Sequence, residues 1–427
     1  MLNMPNFDGR KPRNWMAVAV FAALLAAPPL PAQTYSVLHN FTGGGDGANP
    51  TTGLIIDQSG SLYGTTAPAL LQGGSGNGNV FKMKKQGSNW LLSPLYQFRG
   101  GSDGSEPFGQ LAFAHDGTIY GTTYYGGGTG CGGTGCGTVF HLRPSATRPA
   151  TPLTPWNETV LYQFTGGADG DYPSGPLTFD SSGVIYGIAN RGAMPGCGGG
   201  TGGGCGTAFT LTPSGGSYSF NVIWTFGNGD QGHPLGGLAF DSSGDLFGAA
   251  AGCYAQGGDV FQLVRSGSNW TENIIPGNMG GSCPLSGLIR GSDGNFYGAT
   301  GVGSGSVFVV SNSGGTWTTT PIFNFTGAGG SLCGPYGALL RDSAGNIYGT
   351  TICDGANQLG SVFKLAPSGG GQYTYTDLHD FAGTDGALPY SNLVMDSEGN
   401  LYGTTNEGGT GTACAGGCGV VFEISPQ

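Results

Sequence analysis

The segment Leu393-Val-Met-Asp-Ser-Glu-Gly-Asn-Leu-Tyr-Gly-Thr-Thr405 has seven related copies in this chain of 427 residues. Their shared pattern is Leu-x-x-Asp-x-x-Gly-x-Leu-Tyr-Gly-Thr-Thr, with Phe, Ile or Ala at some positions of some copies. Successive Tyr-Gly or Phe-Gly steps are 50 to 66 residues apart, a spacing at or somewhat above the usual length of propeller blades. The copies are Leu54–Thr66, Leu111–Thr123, Leu177–Ala189, Leu238–Ala250, Leu288–Thr300, Leu339–Thr351 and Leu393–Thr405.

Each copy belongs to a unit with four candidate strands, named A to D in chain order. Strand A precedes the Asp, strand B is Leu-Tyr-Gly-Thr-Thr, strand C is Gly-Thr-Val-Phe-x-Leu, and strand D is Val-Leu-Tyr-x-Phe. The A–B connection, as in Asp180–Gly183, is predicted to be a tight turn in which the Asp accepts backbone N–H groups. No stretch after the first 32 residues has a convincing helical period.

The phase of the repeat predicts a closed ring. Residues Tyr35–Phe41 match strand D and precede the first complete unit, whereas the last unit stops after strand C at Val420–Ile424. Pairing the N-terminal strand with the last blade resolves both irregularities and protects the sheet edges. We therefore predict an all-β, seven-bladed β-propeller of four-stranded blades. An open β-solenoid is the alternative, but it would need caps, and the sequence shows none.

The stretch Gly399–Thr405, followed by a glycine-rich loop and Gly-x-Val-Phe, resembles the "GloVer" tandem repeats of exported bacterial proteins. The resemblance extends from Tyr35 to the C-terminus. It implies export and a repeat architecture, but no substrate or activity. Family members often carry a C-terminal surface anchor; none is expected here, because the chain ends within a strand pattern.

The N-terminus is predicted to be a signal peptide spanning residues 1–32. Three basic residues, Arg10, Lys11 and Arg13, precede a short apolar run, and small residues follow up to the expected cleavage after Ala32. An uncleaved anchor is the alternative. We expect residues 33–427 to form a single propeller domain that is secreted and lies in the extracellular medium or at the cell surface. No membrane span is expected after removal of the signal.

Composition limits the partners that this chain can bind. It carries 89 glycines and only 9% charged residues, with a net charge of −11. Nucleic acids and anionic lipids are disfavoured, because binding phosphate requires clustered Lys and Arg. The content of 38% hydrophobic residues, in fixed patterns, argues for a packed fold rather than disorder. We expect a monomer.

All ten cysteines fall in the B–C and D–A loops, which share one face of a propeller, here called the top face. An exported chain with an even number of cysteines is expected to form disulfides. Cys283 pairing with Cys333 is the alternative for two of them. The predicted pairs are Cys131–Cys136, Cys197–Cys205, Cys253–Cys283, Cys333–Cys353 and Cys414–Cys418.

The D–A loops contain aspartates before glycine that permit a calcium hypothesis. Asp169 and Asp171 form the best pair, although calcium requires about six to eight oxygen ligands. The favoured alternative is a turn in which the Asp side chain caps its own loop. We expect no other cofactor and no other metal.

Aromatic residues in the top loops are the candidate ligand-binding residues. The residue after the proline of each D–A loop should surround the mouth of the central channel, just before the innermost strand. Exposed aromatics with few charges suit sugar faces or peptides. The alternative is that they only cover the blade ends. The candidates are Phe108, Tyr124, Tyr125, Tyr172, Tyr254, Tyr336 and Tyr390.

No catalytic arrangement is recognisable, because the five histidines are scattered and no nucleophile motif is present. We therefore predict a non-enzymatic extracellular binding module for carbohydrate or a cell-surface protein. One alternative is a structural or surface-array protein without a small ligand. The other is a polysaccharide-acting enzyme, which would need two carboxylates about 5–10 Å apart in the channel.

Overall fold

The computed structural model describes residues 33–67, 76–145, 156–193, 204–227, 232–251, 258–280, 282–303, 305–326 and 333–426. The predictions made for the signal peptide and for Cys197, Cys253 and Tyr254 lie outside these residues. The boundaries of the single domain remain a prediction.

Thirty short strands account for nearly all regular structure in the described part of the chain. No α-helix occurs among these residues, and two short 3-10 turns lie at Gly101–Asp103 and Cys131–Gly133. The strands are β1 Thr34–Asn40, β2 Ile55–Ile56, β3 Leu62–Thr66, β4 Asn79–Gln86, β5 Asn89–Gln97, β6 Ser105–Pro107, β7 Ala112–Phe113, β8 Ile119–Tyr125, β9 Thr138–Pro144, β10 Trp156–Gln163, β11 Asp171–Phe179, β12 Ile185–Arg191, β13 Thr207–Ser214, β14 Ser217–Thr225, β15 Pro234–Phe240, β16 Leu246–Ala250, β17 Asp259–Ser266, β18 Asn269–Ile275, β19 Ser282–Pro284, β20 Ile289–Arg290, β21 Phe296–Val302, β22 Ser306–Ser313, β23 Thr316–Asn324, β24 Leu340–Arg341, β25 Ile347–Thr351, β26 Ser361–Gly369, β27 Gln372–Asp380, β28 Val394–Met395, β29 Leu401–Thr405 and β30 Val420–Ser425.

The strands form seven antiparallel sheets, and the prediction of a seven-bladed β-propeller is confirmed. Blades 1 to 6 follow one another along the chain, each running from an inner strand A to an outer strand D. In blades 2 and 5 the inner strand is split into two short pieces that pair with the same strand B. The blades are β2–β5, β6–β10, β11–β14, β15–β18, β19–β23, β24–β27, and β28–β30 with β1.

The N-terminal strand closes the ring as predicted. Strand β1 pairs antiparallel with β30, from Thr34 opposite Ser425 to Asn40 opposite Val420. Tyr35 also stacks on His379 of blade 6, with ring centroids 3.7 Å apart. The first strand of the domain is therefore the outer strand of the last blade.

Tight packing explains the glycine of the Tyr-Gly step. In blade 7, a Cβ atom on Gly403 would lie 2.5 Å from Phe422 Cζ and 2.8 Å from Leu393 Cδ2. The Phe of strand C is fully buried and lies directly over this glycine, so the Leu, Gly and Phe of the repeat form one packing unit. The contact between this glycine and the Phe recurs in every blade, and the Leu is also among the nearest side chains in every blade except blade 4.

The two threonines of the motif make different hydrogen bonds. In blade 6, Thr350 Oγ1 donates to the carbonyl of Pro389 in the next blade, at 3.0 Å. Thr351 Oγ1 instead bonds Ser361 Oγ on the neighbouring strand, at 2.8 Å. The first threonine therefore links blades, and the second links strands B and C of one blade.

The hydrophobic core of the described residues consists of seven clusters, each built from two adjacent blades. One example joins Phe41 and Tyr402 of blade 7 to Leu54 and Phe81 of blade 1. Burying one such side chain stabilises the fold by about 1.5–3 kcal/mol. Because each cluster needs two blades, the blades stabilise one another in the ring.

The A–B turns lie on the face opposite the top face and have the predicted Asp-centred geometry. In blade 7, Asp396 Oδ1 accepts the N–H groups of Glu398 and Asn400, both at 2.9 Å. Asp396 Oδ2 accepts the hydroxyl of Tyr402, the motif tyrosine, at 3.0 Å. The same tyrosine–aspartate bond occurs in Tyr63–Asp57, Tyr186–Asp180, Tyr297–Asp293 and Tyr348–Asp342.

Three of the predicted disulfides are present among the described residues: Cys131–Cys136, Cys333–Cys353 and Cys414–Cys418. Because Cys333 bonds Cys353, the alternative pair Cys283–Cys333 is wrong. Cys205 and Cys283 are also disulfide-bonded.

Candidate functional site

The central channel opens among the seven residues that follow the D–A prolines, as predicted. They line a cavity of about 90 Å³ to which all seven blades contribute. This volume has room for about three water molecules and lies well below that of a typical ligand pocket. Tyr336 and Tyr390 lie at this mouth, in an edge-to-face contact with ring centroids 5.2 Å apart. The residues are Thr51, Phe108, Ser174, Leu235, Leu285, Tyr336 and Tyr390.

A second set of side chains precedes the same prolines, and its backbone conformation is unusual. In six of the D–A loops this residue has a positive φ although it is not glycine, a conformation that costs about 1–3 kcal/mol. In Glu106 and Tyr172 the N–H donates to a B–C loop carbonyl of the preceding blade, at 2.8 and 2.9 Å. The six are Asn49, Glu106, Tyr172, His233, Cys283 and Leu388.

Four of the predicted ligand-binding aromatics meet on the top face of blades 2 and 3. Tyr124 stacks on Tyr172, with centroids 4.6 Å apart and ring planes 12° from parallel. Tyr125 contacts both rings edge-on, and Phe108 contacts Tyr124 with centroids 5.4 Å apart. All four side chains are half-buried, so part of each remains accessible. We call these four residues the aromatic cluster.

Arg191 adds a positive charge beside the aromatic cluster. Its guanidinium carbon lies 5.8 Å from the centroid of the Tyr172 ring. Arg191 ends strand β12 opposite Asp171, the first residue of β11. Asp171 Oδ2 in turn lies 3.5 Å from the sulfur of Cys131, so the Cys131–Cys136 disulfide borders the cluster.

Two carboxyl groups with raised pKa values flank the aromatic cluster. Burial raises the pKa of Glu106 to about 7. Burial also raises the pKa of Asp171 to about 6, against the opposing charge of Arg191 and with help from Asp169. One oxygen of each, Glu106 Oε2 and Asp171 Oδ1, is buried without a hydrogen-bond partner. Buried oxygens of this kind cost stability unless another donor reaches them.

Burial also raises the pKa values of the three tyrosines in the cluster. The pKa of Tyr124 rises to about 12, and those of Tyr125 and Tyr172 rise as well. The phenols therefore stay neutral at physiological pH and can both donate and accept hydrogen bonds. Together with Arg191 and the two carboxyl groups, the cluster combines flat apolar surface with donors and acceptors.

The predicted site residues therefore fall into two groups that share Phe108. Phe108, Tyr124, Tyr125 and Tyr172 lie together, and Phe108 also lines the channel mouth with Tyr336 and Tyr390 of blades 6 and 7. Sequence reasoning missed Glu106 and Arg191. Glu106 could have been found from the variability of the residue before the D–A proline, but no sequence signal marked Arg191.

The D–A aspartates mostly cap their own loops. Asp169 accepts bonds from Thr165 N and Oγ1, and from the hydroxyl of Tyr162. His39 and His379 occupy the place of that tyrosine and contact equivalent aspartates at 3.1 and 3.0 Å. Within the described ranges, no group of three or more His, Cys, Asp or Glu residues is arranged to hold a metal ion. Calcium at Asp169 and Asp171 remains a prediction.

A family model described as the Gloeobacter/Verrucomicrobia repeat matches residues 28–201 and 301–427, more than half of the chain. The chain belongs to this family. The resemblance seen in the motif is thereby confirmed. No curated protein matches the sequence. In the described part of the chain, no helix has the length and apolarity needed to cross a membrane.

Solved structures that this chain resembles are only distantly related to it in sequence. A candidate 6-phosphogluconolactonase from Bacteroides fragilis is 14% identical, with a TM-score of 0.50, covering 83% of this chain and 87% of its own. The PQQ-bound form of an aldose sugar dehydrogenase from Streptomyces coelicolor is 14% identical, with a TM-score of 0.43, covering 93% and 99%. At these identities the likeness concerns the fold alone.

Proposed function

We propose that this protein is an exported, monomeric binding module that holds carbohydrate at the aromatic cluster of blades 2 and 3. The observation that carries the proposal is the pair of buried carboxyl oxygens without partners, on Glu106 and Asp171, beside half-buried tyrosine rings. Sugar hydroxyls are donors that could reach such oxygens, and sugar C–H faces stack on aromatic rings.

Other features of the top face agree with this proposal. The Cys131–Cys136 disulfide fixes a loop beside the cluster, and disulfides persist mainly in oxidising, extracytoplasmic compartments. The strained backbone of Glu106 and Tyr172 is held by bonds to the neighbouring blade, so both side chains are positioned in advance. Preorganisation of this kind reduces the entropy lost on binding.

The test is a binding screen against a panel of neutral and acidic polysaccharides, followed by affinity measurement for the strongest ligand. Tyr172→Ala should weaken binding at least tenfold, about 1.4 kcal/mol, because it removes one ring of the stacked pair. Tyr390→Ala is the matched control, since it removes a tyrosine at the channel mouth and should leave the affinity unchanged.

Two results would contradict the proposal. If Tyr390→Ala, but not Tyr172→Ala, reduced the affinity, the ligand site would be the channel mouth. If no polysaccharide in the panel bound at all, a structural role without a small ligand would be favoured.

A second candidate function is a polysaccharide-acting enzyme, and the raised pKa of Glu106 favours it. A carboxyl group with a pKa of about 7 suits general acid–base catalysis near neutral pH. Release of reducing ends from a bound polysaccharide, abolished by Glu106→Gln while binding persists, would establish this function. Binding without any release of reducing ends would exclude it for that ligand.

A further inference from the structure

The outer strands of neighbouring blades meet through a stacked pair of rings at three places. Tyr162 and Phe220 lie with centroids 3.8 Å apart and planes 6° from parallel. His379 and Tyr35 lie 3.7 Å apart, at 4°. Phe323 and Tyr375 stack at 5.3 Å and 10°. Each pair joins strand D of one blade to strand D of the next and fills the gap between them.

Between blades 1 and 2, a glutamate replaces the second ring. Tyr96 pairs with Val80 as Tyr162 pairs with Val139, so it is the first ring of the set. Glu158 pairs with Leu142 of strand C. In blades 3, 6 and 7, the residue in the place of Glu158 is the second stacked ring: Phe220, Tyr375 and Tyr35. In blades 1, 4 and 5 it is Leu92, Glu272 and Thr319.

An open cleft lies between blades 1 and 2, where Glu158 stands in place of a second ring. A cavity of about 790 Å³ lies between β5 and β10 and is lined by Tyr96, Phe98, Arg99, Trp156 and Glu158, among others. Within the described residues, the only ring contact of Tyr96 is edge-on, with Phe98, so no ring is stacked on it. The volume lies in the range of pockets that bind ligands.

The cleft contains an acidic pair. Tyr96 donates its hydroxyl to Asp103 Oδ1 at 2.5 Å, and Asp103 lies beside Glu158. Burial, strengthened by the charge of Asp103 and a hydrogen bond to it, raises the pKa of Glu158 to about 8. Glu158 Oε1 is buried without a hydrogen-bond partner. Among the described residues that line the cleft, the remaining charged side chain is that of Arg99, which is exposed.

We propose that this cleft binds the guanidinium group of an arginine side chain on a partner protein, stacked on Tyr96 and hydrogen-bonded to Glu158. The slot fits a flat group, because flat rings fill three of its six counterparts around the ring. The acidic pair requires a donor, and a positive one complements its charge. Guanidinium is flat, cationic, rich in N–H donors and stacks on aromatic faces, whereas ammonium is a compact point charge.

The first test is calorimetric titration of the full protein with the peptide acetyl-Gly-Arg-Gly-amide. Matched peptides carry citrulline, which is flat but neutral, or lysine, which is charged but not flat. We expect the arginine peptide to bind with a dissociation constant of about 1 mM or lower, and both others at least tenfold more weakly. Equal binding of the three peptides, or no binding of the arginine peptide, would overturn the proposal.

Two substitutions at one position separate binding from folding. Glu158→Gln should weaken binding of the arginine peptide at least tenfold. Glu158→Phe should restore the stacked pair, abolish peptide binding and raise the melting temperature by about 2 °C. Glu398→Gln, an exposed glutamate in an A–B turn, is the control and should change neither quantity. Wild-type affinity for the peptide in Glu158→Gln or Glu158→Phe would show that the cleft is not the site.

Measuring the affinity for the arginine peptide at several pH values distinguishes binding by Glu158 from a purely structural role of this residue. Because the cation binds the ionised form of Glu158, the affinity of the wild type should rise about tenfold between pH 6.5 and 8.5. In Glu158→Gln this dependence should disappear. A pH dependence that is unchanged in the variant would contradict the assignment.

Discussion

The A–B turns and the aromatic cluster lie on opposite faces, and both place carboxyl groups next to tyrosines. In the turn of blade 7, both oxygens of Asp396 accept hydrogen bonds from the turn itself and from Tyr402. In the aromatic cluster, Glu106 and Asp171 each keep a buried oxygen without a partner. The turns recur around the ring, whereas the cluster occurs once among the described residues.

Their pKa shifts have opposite signs. Burial alone would raise the pKa of Asp396, but hydrogen bonds from Asn400, Tyr402 and Glu398 outweigh it and the net pKa is lowered. At Glu106 burial acts without opposition, so the pKa rises. A carboxylate satisfied within its own fold is a structural element. One that remains unsatisfied on a loop face is available to a ligand.

The largest expected effect comes from breaking a turn. Asp396→Ala removes the acceptor for two backbone N–H groups and for the Tyr402 hydroxyl, so it should reduce the free energy of unfolding by about 2 kcal/mol. Urea denaturation measures this loss. Asp396→Asn keeps one acceptor oxygen and should lose less. Equal stability of wild type and Asp396→Ala would show that the turn is held mainly by its glycine and by packing.

Replacing a carboxyl group on the top face, by Glu106→Gln, should not destabilise the protein. Glu106→Gln removes a carboxyl group whose raised pKa makes its ionised form unfavourable, so stability at pH 8 should rise by about 1 kcal/mol after allowance for solvent screening. In the wild type, this part of the stability is present at low pH and is lost as the pH rises through about 7.

The dependence of the free energy of unfolding on pH below about 4 depends on the aspartates of the A–B turns. The pKa values of Asp57, Asp180, Asp342 and Asp396 are lowered, so their stabilisation is present above the unfolded pKa and is lost as the pH falls through the folded values. Glu106→Gln should therefore change the free energy of unfolding near pH 7 and leave its loss at acid pH unchanged. A change in the loss at acid pH instead would place Glu106 among the structural carboxylates.

The smallest expected effect is loss of a single tyrosine hydroxyl. Tyr186→Phe removes the bond to Asp180 Oδ2, which is 3.2 Å long, and should cost about 0.5–1.5 kcal/mol. Blade 4 shows that a blade tolerates the change, because Phe247 already occupies this position there. Thermal unfolding measures the difference; a loss of several kcal/mol would mean that the hydroxyl supports more than one turn.

The repeat motif determined most of the fold in advance. The number of blades, the D strand at the N-terminus, the closure, the Asp-centred turns and the residues around the channel mouth all follow from local, periodic signals. These patterns arise from contacts that a residue makes within its own blade. They remain recognisable although the seven copies differ in sequence. The pairing of Cys333 with Cys353 was also predicted, because Cys333 lies in a D–A loop that lacks the Asp-Gly turn and Cys353 lies early in a B–C loop of the same face.

Other features depended on how different blades pack. Glu106 and Tyr124 of blade 2 meet Tyr172 and Arg191 of blade 3 only because these two blades are adjacent. The volume of the cavity at the channel mouth depends on how closely the inner strands approach, and no motif encodes that distance.

The sequence by itself determined that seven similar units close into a ring with unlike faces. Only the tertiary structure decided which loop residues lie together on the top face, that the cavity at the channel mouth is as small as about 90 Å³, and that Glu158 lies where blades 3, 6 and 7 have the second ring of a stacked pair. The physical reason is that hydrogen bonding and strand pairing are local and repeat with the motif. Contacts between blades depend on side chains that vary independently in each copy.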